Sequence, residues 1–102
     1  MVYKIAWTPE ALRTYLQIIN YLEQKWTERE IKNFAQSVED KIELLKSFSG
    51  IGSLFDKKRK LRKTLVHKHV QLYYRIRPVK KQIELVSFWN TYQNPYKLRK
   101  LR

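Results

Sequence analysis

Apolar residues in the first half of the chain recur every three or four positions, in two separate stretches. This spacing places the apolar side chains on one face of an α-helix and the polar ones on the other. The pattern therefore predicts two amphipathic helices. Their apolar faces carry Ala11, Tyr15, Ile18, Leu22 and Trp26 in the first helix, and Ile31, Phe34, Ala35, Val38, Ile42 and Leu45 in the second.

Start and stop signals surround both helices. Thr8 is suited to the N-cap of the first helix and is followed by a proline. Thr27 and Glu30 have the spacing of a capping box at the start of the second helix. The only two glycines, Gly50 and Gly52, are expected to end the second helix. Because the link between the helices is short, we expect an antiparallel helical hairpin.

The rest of the chain alternates with the period of β-strands. Strands are predicted at residues 2–7, 60–66, 69–77 and 82–89, with a turn at residues 78–81. The order β-α-α-β-β-β predicts an α+β fold, in which an antiparallel sheet packs one face on the N-terminal helical hairpin. The other face is left to solvent or to a partner, and it carries Tyr73, Arg75 and Arg77.

Length and composition indicate one domain over residues 1–102, in which residues 96–102 form a basic tail that is expected to be flexible. The chain contains no cysteine and no apolar run long enough for a membrane span, and its N-terminus does not resemble a signal peptide. We therefore expect a soluble cytoplasmic protein without a disulfide framework and without a membrane partner.

The net charge of +13 lies entirely in the second half of the chain. Residues 1–55 carry seven basic and seven acidic side chains. Residues 56–102 carry fifteen basic side chains, and their only acidic ones are Asp56 and Glu84. Such a field attracts polyanions, which include nucleic acid, the ribosome and an acidic protein partner.

Four segments, taken in order, resemble the RelE/ParE toxin superfamily. Within it, they resemble the ParE branch more closely than the RelE branch. They are residues 3–11, 34–45, 62–75 and 88–95. The resemblance implies a compact plasmid-stabilisation toxin of a type II toxin–antitoxin system, neutralised by a cognate antitoxin in a hetero-oligomer. RelE-like members cleave mRNA in the ribosomal A site, whereas characterised ParE-like members poison DNA gyrase and lack the nuclease residues.

A RelE-type ribonuclease needs a base, an acid and cations for the phosphorane charge. The resemblance implies that Arg75 binds phosphate and that Lys60, Arg62 and Lys63 correspond to the family's strand-borne lysines. RelE-like enzymes carry an Arg or His at the end of the last strand, with a Tyr nearby. This chain has Asn90, which cannot transfer a proton, followed by Tyr92. The catalytic candidates are therefore Arg75, Lys60, Arg62 and Tyr92, and the set is incomplete.

The densest basic run, residues 57–63, is typical of a solvated face or a polyanion-binding surface. Tyr73 and Tyr92 fall outside the apolar periodicity, which favours stacking or partner contact. The candidates for binding nucleic acid or a partner are Lys57, Lys58, Arg59, Lys60, Arg62, Lys63, Tyr73, Arg75, Arg77, Asn90 and Tyr92.

The only histidines, His67 and His69, are two positions apart and are expected to point the same way from a strand. No acidic or cysteine ligand is near them in sequence. A polar pair at a strand junction is therefore favoured over a metal site or an acid–base pair, and no metal or cofactor is expected.

Three functions remain open at this point. The first is a ParE-like inhibitor that binds DNA gyrase without chemistry of its own, and the incomplete acid–base set favours it. The second is a ribosome-dependent, metal-independent mRNA endoribonuclease. The third is a non-catalytic nucleic-acid-binding module, against which the lack of a recognition helix or an RNA-binding aromatic motif counts.

Overall fold

The computed structural model describes residues 2–90, and it confirms the predicted α+β fold with one further strand. The elements in chain order are β1 (Lys4–Trp7), α1 (Pro9–Glu23), α2 (Glu28–Ser47), a short 3-10 helix (Ser49–Ile51), β2 (Ser53–Asp56), β3 (Leu61–His67), β4 (Val70–Arg77) and β5 (Gln82–Asn90). The predicted tail at residues 96–102 lies outside the described residues.

The five strands form one sheet in the order β1-β5-β4-β3-β2. Strands β2 to β5 pair antiparallel with their sequence neighbours, as predicted for the meander. Strand β1 pairs with β5 in parallel, from Lys4 opposite Gln82 to Trp7 opposite Leu85. The sheet is therefore mostly antiparallel, and the first and last strands become neighbours although the helical hairpin and the other three strands separate them in sequence.

Strand β2 was not predicted from the sequence. It is four residues long and pairs with β3 alone, so it forms one edge of the sheet. Leu54 and Phe55 within it are 53% and 37% exposed. A strand this short, without a buried face, shows no alternation, and its hydrogen bonds to β3 define it.

Both helices begin where their caps predict. Thr8 accepts a hydrogen bond from the Ala11 backbone N–H at 3.1 Å, and its hydroxyl donates to the Leu85 carbonyl at 2.7 Å. Thr27 and Glu30 form the predicted capping box, with bonds of 3.2 and 3.1 Å. The cap of α1 therefore also fixes the start of that helix against β5.

The end of α2 differs from the glycine stop that was predicted. The helix ends at Ser47, and neither Gly50 nor Gly52 has a positive φ. Gly52 is needed for space instead, because a Cβ there would lie 2.5 Å from the Lys63 carbonyl oxygen and 2.6 Å from the Tyr74 hydroxyl. The chain therefore passes unusually close to β3 and β4 at this glycine.

The main core fills the space between the helices and one face of the sheet. Its fully buried members come from both helices and from β3, β4 and β5, and include Ile18, Phe34, Leu45, Leu72, Tyr74, Ile83, Leu85 and Phe88. The opposite face carries a second, smaller cluster of Leu61, Tyr73 and Val86, with Trp89 packed against it. The prediction that this face leaves Tyr73 to solvent or a partner is wrong in the structure, because the Tyr73 side chain is 1% exposed.

Candidate functional site

Four consecutive basic residues form the turn between β2 and β3. Lys57, Lys58, Arg59 and Lys60 are all exposed, and Lys60 has a φ of 57°. Asp56 shapes this basic turn, because its carboxylate accepts a hydrogen bond from the Arg59 backbone N–H at 3.1 Å. The turn therefore presents a concentrated positive charge at one end of the sheet.

Arg75 holds the basic turn to the sheet. Its Nε donates to the Arg59 carbonyl at 2.7 Å, and its Nη1 lies 3.1 Å from the Glu84 carboxylate. Arg77 contacts the same Glu84 oxygen at 3.4 Å. Because the Arg75 side chain is only 18% exposed and already has two partners, it acts first as a structural tie.

Arg62 lies on the other face of the sheet. Residue Arg62 is paired with Tyr74, whose side chain belongs to the main core, whereas Arg75 follows Tyr74 on β4 and points away from that core. The Arg62 guanidinium donates to the Gly50 and Gly52 carbonyls at 3.2 and 2.6 Å. Its Nε is buried, with no hydrogen-bond partner within residues 2–90. Arg62 therefore fastens the 3-10 helix, away from the basic turn.

Tyr73 is covered by the strand that the sequence did not reveal. The Phe55 ring packs edge-on against the Tyr73 ring with 4.9 Å between centroids, and the Lys63 ammonium lies 5.5 Å from the centre of the Phe55 ring. Burial raises the pKa of the Tyr73 hydroxyl. Tyr73 is therefore a packing residue, and the half-buried Lys63 lies over Phe55.

A pocket of about 600 Å³ lies at the far end of β3, around the turn into β4. Its walls come from the end of α1, the first turns of α2, the β3–β4 turn and the end of β5, where the predicted site residue Asn90 lies. His67 packs against the rings of Trp26 and Phe34, at 5.6 and 5.4 Å between centroids. Burial lowers the pKa of the His67 imidazole.

The prediction that the two histidines share a strand is wrong. Strand β3 ends at His67, and His69 lies in the turn before β4, yet both line this pocket. Within residues 2–90, no group of three or more His, Cys, Asp or Glu side chains is placed to hold a metal ion.

The predicted site residues therefore fall into separate places. One group lies on the sheet face away from the main core, and we call it the basic face. It comprises the basic turn and three strand residues: Lys57, Lys58, Arg59, Lys60, Lys63, Arg75 and Arg77. Arg62 lies on the opposite face, and Asn90 is 4% exposed at the pocket. Tyr92 lies outside the described residues.

Sequence reasoning missed Glu84 and Phe55, which organise the basic face. Glu84 is one of only two acidic residues after position 55, and it lies directly opposite Arg75 on the neighbouring strand. That charge pattern was a usable signal, because opposite charges favour cross-strand pairing. Phe55 gave no such signal, since its strand shows no periodicity.

Comparison with known proteins identifies the family of this chain. The family model of the ParE toxin of the type II toxin–antitoxin system parDE matches residues 5–95. The chain belongs to the ParE toxin family. No curated protein sequence matches it significantly.

The fold of this ParE family member is similar to a chain in the crystal structure of the toxin–antitoxin complex RelBE2 from Mycobacterium tuberculosis. The TM-score is 0.61 at 16% identity, over 88% of this chain and 99% of the other. At this level of identity the similarity supports a shared fold and nothing beyond it. No helix within residues 2–90 is both long and apolar enough to cross a membrane.

Proposed function

We propose that this ParE family toxin acts by binding DNA gyrase together with its DNA, and that it breaks no bond itself. The observation that carries the proposal is the separation of Arg62 from Arg75. The two arginines predicted for a nuclease centre lie on opposite faces of the sheet, and each is already bonded to backbone carbonyls. Both guanidinium groups therefore hold neighbouring backbone segments in place.

Cleavage of RNA at a 2′-hydroxyl requires an acid, a base and cations around one phosphate. Lys60 in the basic turn and Arg75 share one face, but the Arg62 side chain points to the other. Asn90 at the end of β5 cannot exchange a proton, and it lines the pocket at the other end of β3. The described residues therefore favour a binding surface over a nuclease centre.

The basic face is suited to the DNA of a gyrase complex and also to a cognate antitoxin. Its turn carries four adjacent cationic side chains, and Asp56 and Glu84 are the only acidic residues after position 55. Clustered exposed cations bind polyanions with strong salt dependence. An antitoxin with an acidic segment would neutralise the toxin by covering the same cations.

The experiment is to induce the chain alone in bacteria and to follow incorporation of labelled thymidine and labelled amino acids. We expect DNA synthesis to fail first, with filamentation, while translation continues. An early stop in translation, with mRNA cut at ribosome-bound codons, would instead establish the ribonuclease alternative. We expect a small acidic antitoxin to be encoded beside the toxin, and its co-expression should restore growth.

A matched pair of variants tests the basic face. We expect the double substitution Lys57→Ala with Lys58→Ala to abolish growth inhibition, since it removes two exposed charges from the turn. The control, Lys4→Ala with Lys80→Ala, removes two exposed charges from outside the basic face and should remain toxic. Equal loss of toxicity in both variants would show that only the total charge matters, against the proposal.

A further inference from the structure

The pocket at the β3–β4 turn is separate from the basic face. The basic turn precedes β3 and the pocket follows it, so the length of this seven-residue strand, about 20 Å, lies between them. The pocket's volume of about 600 Å³ falls within the range of ~300–1,000 Å³ that is typical of small-molecule sites. Nothing in the proposed gyrase binding uses it.

The walls of the pocket combine flat rings with amide groups. Tyr21 in α1 and Trp26 in the link between α1 and α2 contribute aromatic surface, and the His67 imidazole lies against the Trp26 ring. Asn33, which is exposed, and Asn90, which is buried, belong to the same lining. Aromatic faces with amide donors and acceptors at their margin are the groups by which proteins hold unpaired nucleobases.

The charge of the lining favours an anion beside such a ring. Lys25 and Lys68 both line the pocket and both are exposed. The one carboxylate of the lining, that of Glu30, accepts hydrogen bonds from the Thr27 backbone N–H and hydroxyl in the capping box. Because this carboxylate is held at a helix N-terminus, the two lysines dominate the local field.

We infer that this pocket binds a single nucleobase together with its phosphate, with the base among Trp26, His67 and Asn33 and the phosphate beside Lys25 and Lys68. The ligand chemistry is that of a nucleoside 5′-monophosphate, which can be free or one unit of a single strand. Burial lowers the pKa of the His67 imidazole and so favours its uncharged form, in which the ring offers flat surface to a base.

The test is a titration of the full-length protein, followed by NMR at the Trp26 indole N–H and the His67 ring. The probes are adenosine 5′-monophosphate, ribose 5-phosphate and a single-stranded trinucleotide. We expect saturable shifts with the monophosphate at these two residues, and binding of ribose 5-phosphate that is weaker by about tenfold or more because it lacks a base to stack. Tighter binding of the trinucleotide at the same resonances would identify a strand as the source, and tighter binding of the monophosphate a free nucleotide.

Variants separate the pocket from general attraction of anions. Asn33 is exposed on α2, so Asn33→Phe should fill the pocket without disturbing the core, and should weaken monophosphate binding by about tenfold or more. Asn20→Phe, at an exposed asparagine of α1 that does not line the pocket, is the control and should bind as the wild type does.

A second pair tests the phosphate contacts. Lys25→Ala with Lys68→Ala should abolish saturation by the monophosphate, whereas Lys4→Ala with Lys80→Ala, which removes the same charge at the opposite end of the sheet, should not. The inference is overturned if ribose 5-phosphate binds as tightly as the monophosphate, or if Asn33→Phe binds like Asn20→Phe. Since the readout is binding in vitro, it is independent of whether gyrase is the toxin's target.

Discussion

Replacing Tyr74 with phenylalanine would remove a single oxygen atom on which two backbone groups depend. The Tyr74 hydroxyl accepts a hydrogen bond from the Gly52 N–H at 3.0 Å and donates to the Ser49 carbonyl at 2.8 Å. The Tyr74 side chain is fully buried, and Gly52 is buried beside it. The substitution keeps the ring, and therefore the packing of the core, but it leaves both backbone groups without this partner.

The expected cost follows from the burial of those two groups. A buried polar group left without a partner costs about 1–3 kcal/mol. The Gly52 N–H should carry most of this cost, since Ser49 is only half-buried and water can reach it. We expect a loss of about 2 kcal/mol, and with an unfolding entropy of about 2.1 cal/mol/K per residue this lowers the Tm by about 9 °C.

The assay is urea unfolding together with amide hydrogen exchange at Gly52. The free energy of unfolding should fall, and the Gly52 amide should exchange faster because its hydrogen bond is gone. Tyr73→Phe is the matched control, since the Tyr73 hydroxyl makes no hydrogen bond within residues 2–90, and it should change stability by less than about 0.5 kcal/mol. Equal stability losses in the two variants would refute the reasoning.

Three further outcomes are expected. Gly52→Ala should destabilise the fold by about 1–3 kcal/mol in urea unfolding, because the new Cβ would meet two oxygens at 2.5 and 2.6 Å; a neutral effect would contradict the close approach. Thr14→Val should cost about 1–3 kcal/mol, as it leaves the buried Phe88 N–H without the hydroxyl that accepts it at 2.9 Å, and unchanged thermal stability would count against that bond. His67 has a lowered pKa, so the unfolded chain binds its proton more readily, and stability should fall as the pH drops below about 6.5. His67→Phe should lose that part of the pH dependence while His69→Phe keeps it, as measured by urea midpoints between pH 8 and pH 5.

The charge field and the basic turn were predictable because each depends on residues close together in the chain. The roles of Arg62 and Arg75 were not. Both were assigned to phosphate chemistry by resemblance, yet their partners are carbonyls 10 to 16 residues away. Only the register of the strands decides which face of the sheet each guanidinium reaches.

The sequence by itself determined the two helices, their caps and the apolar helix faces that pack in the main core. The caps at Thr8 and Thr27 and the apolar helical spacing involve residues only a few positions apart. Their effect therefore does not depend on contacts with distant parts of the chain. The concentration of positive charge in the second half is likewise a property of composition. Together with the strand alternation after residue 60, these features sufficed to predict an α+β fold.

Tertiary structure alone decided the edge strand β2, the parallel pairing of β1 with β5, the burial of Tyr73 and the pocket at the β3–β4 turn. Each depends on contacts between segments that are distant in sequence, such as the Thr14 hydroxyl and the Phe88 N–H, which are 74 positions apart. A one-residue shift in strand pairing would exchange the two faces of the sheet. For this reason the face on which a side chain acts was settled only when all five strands were in register.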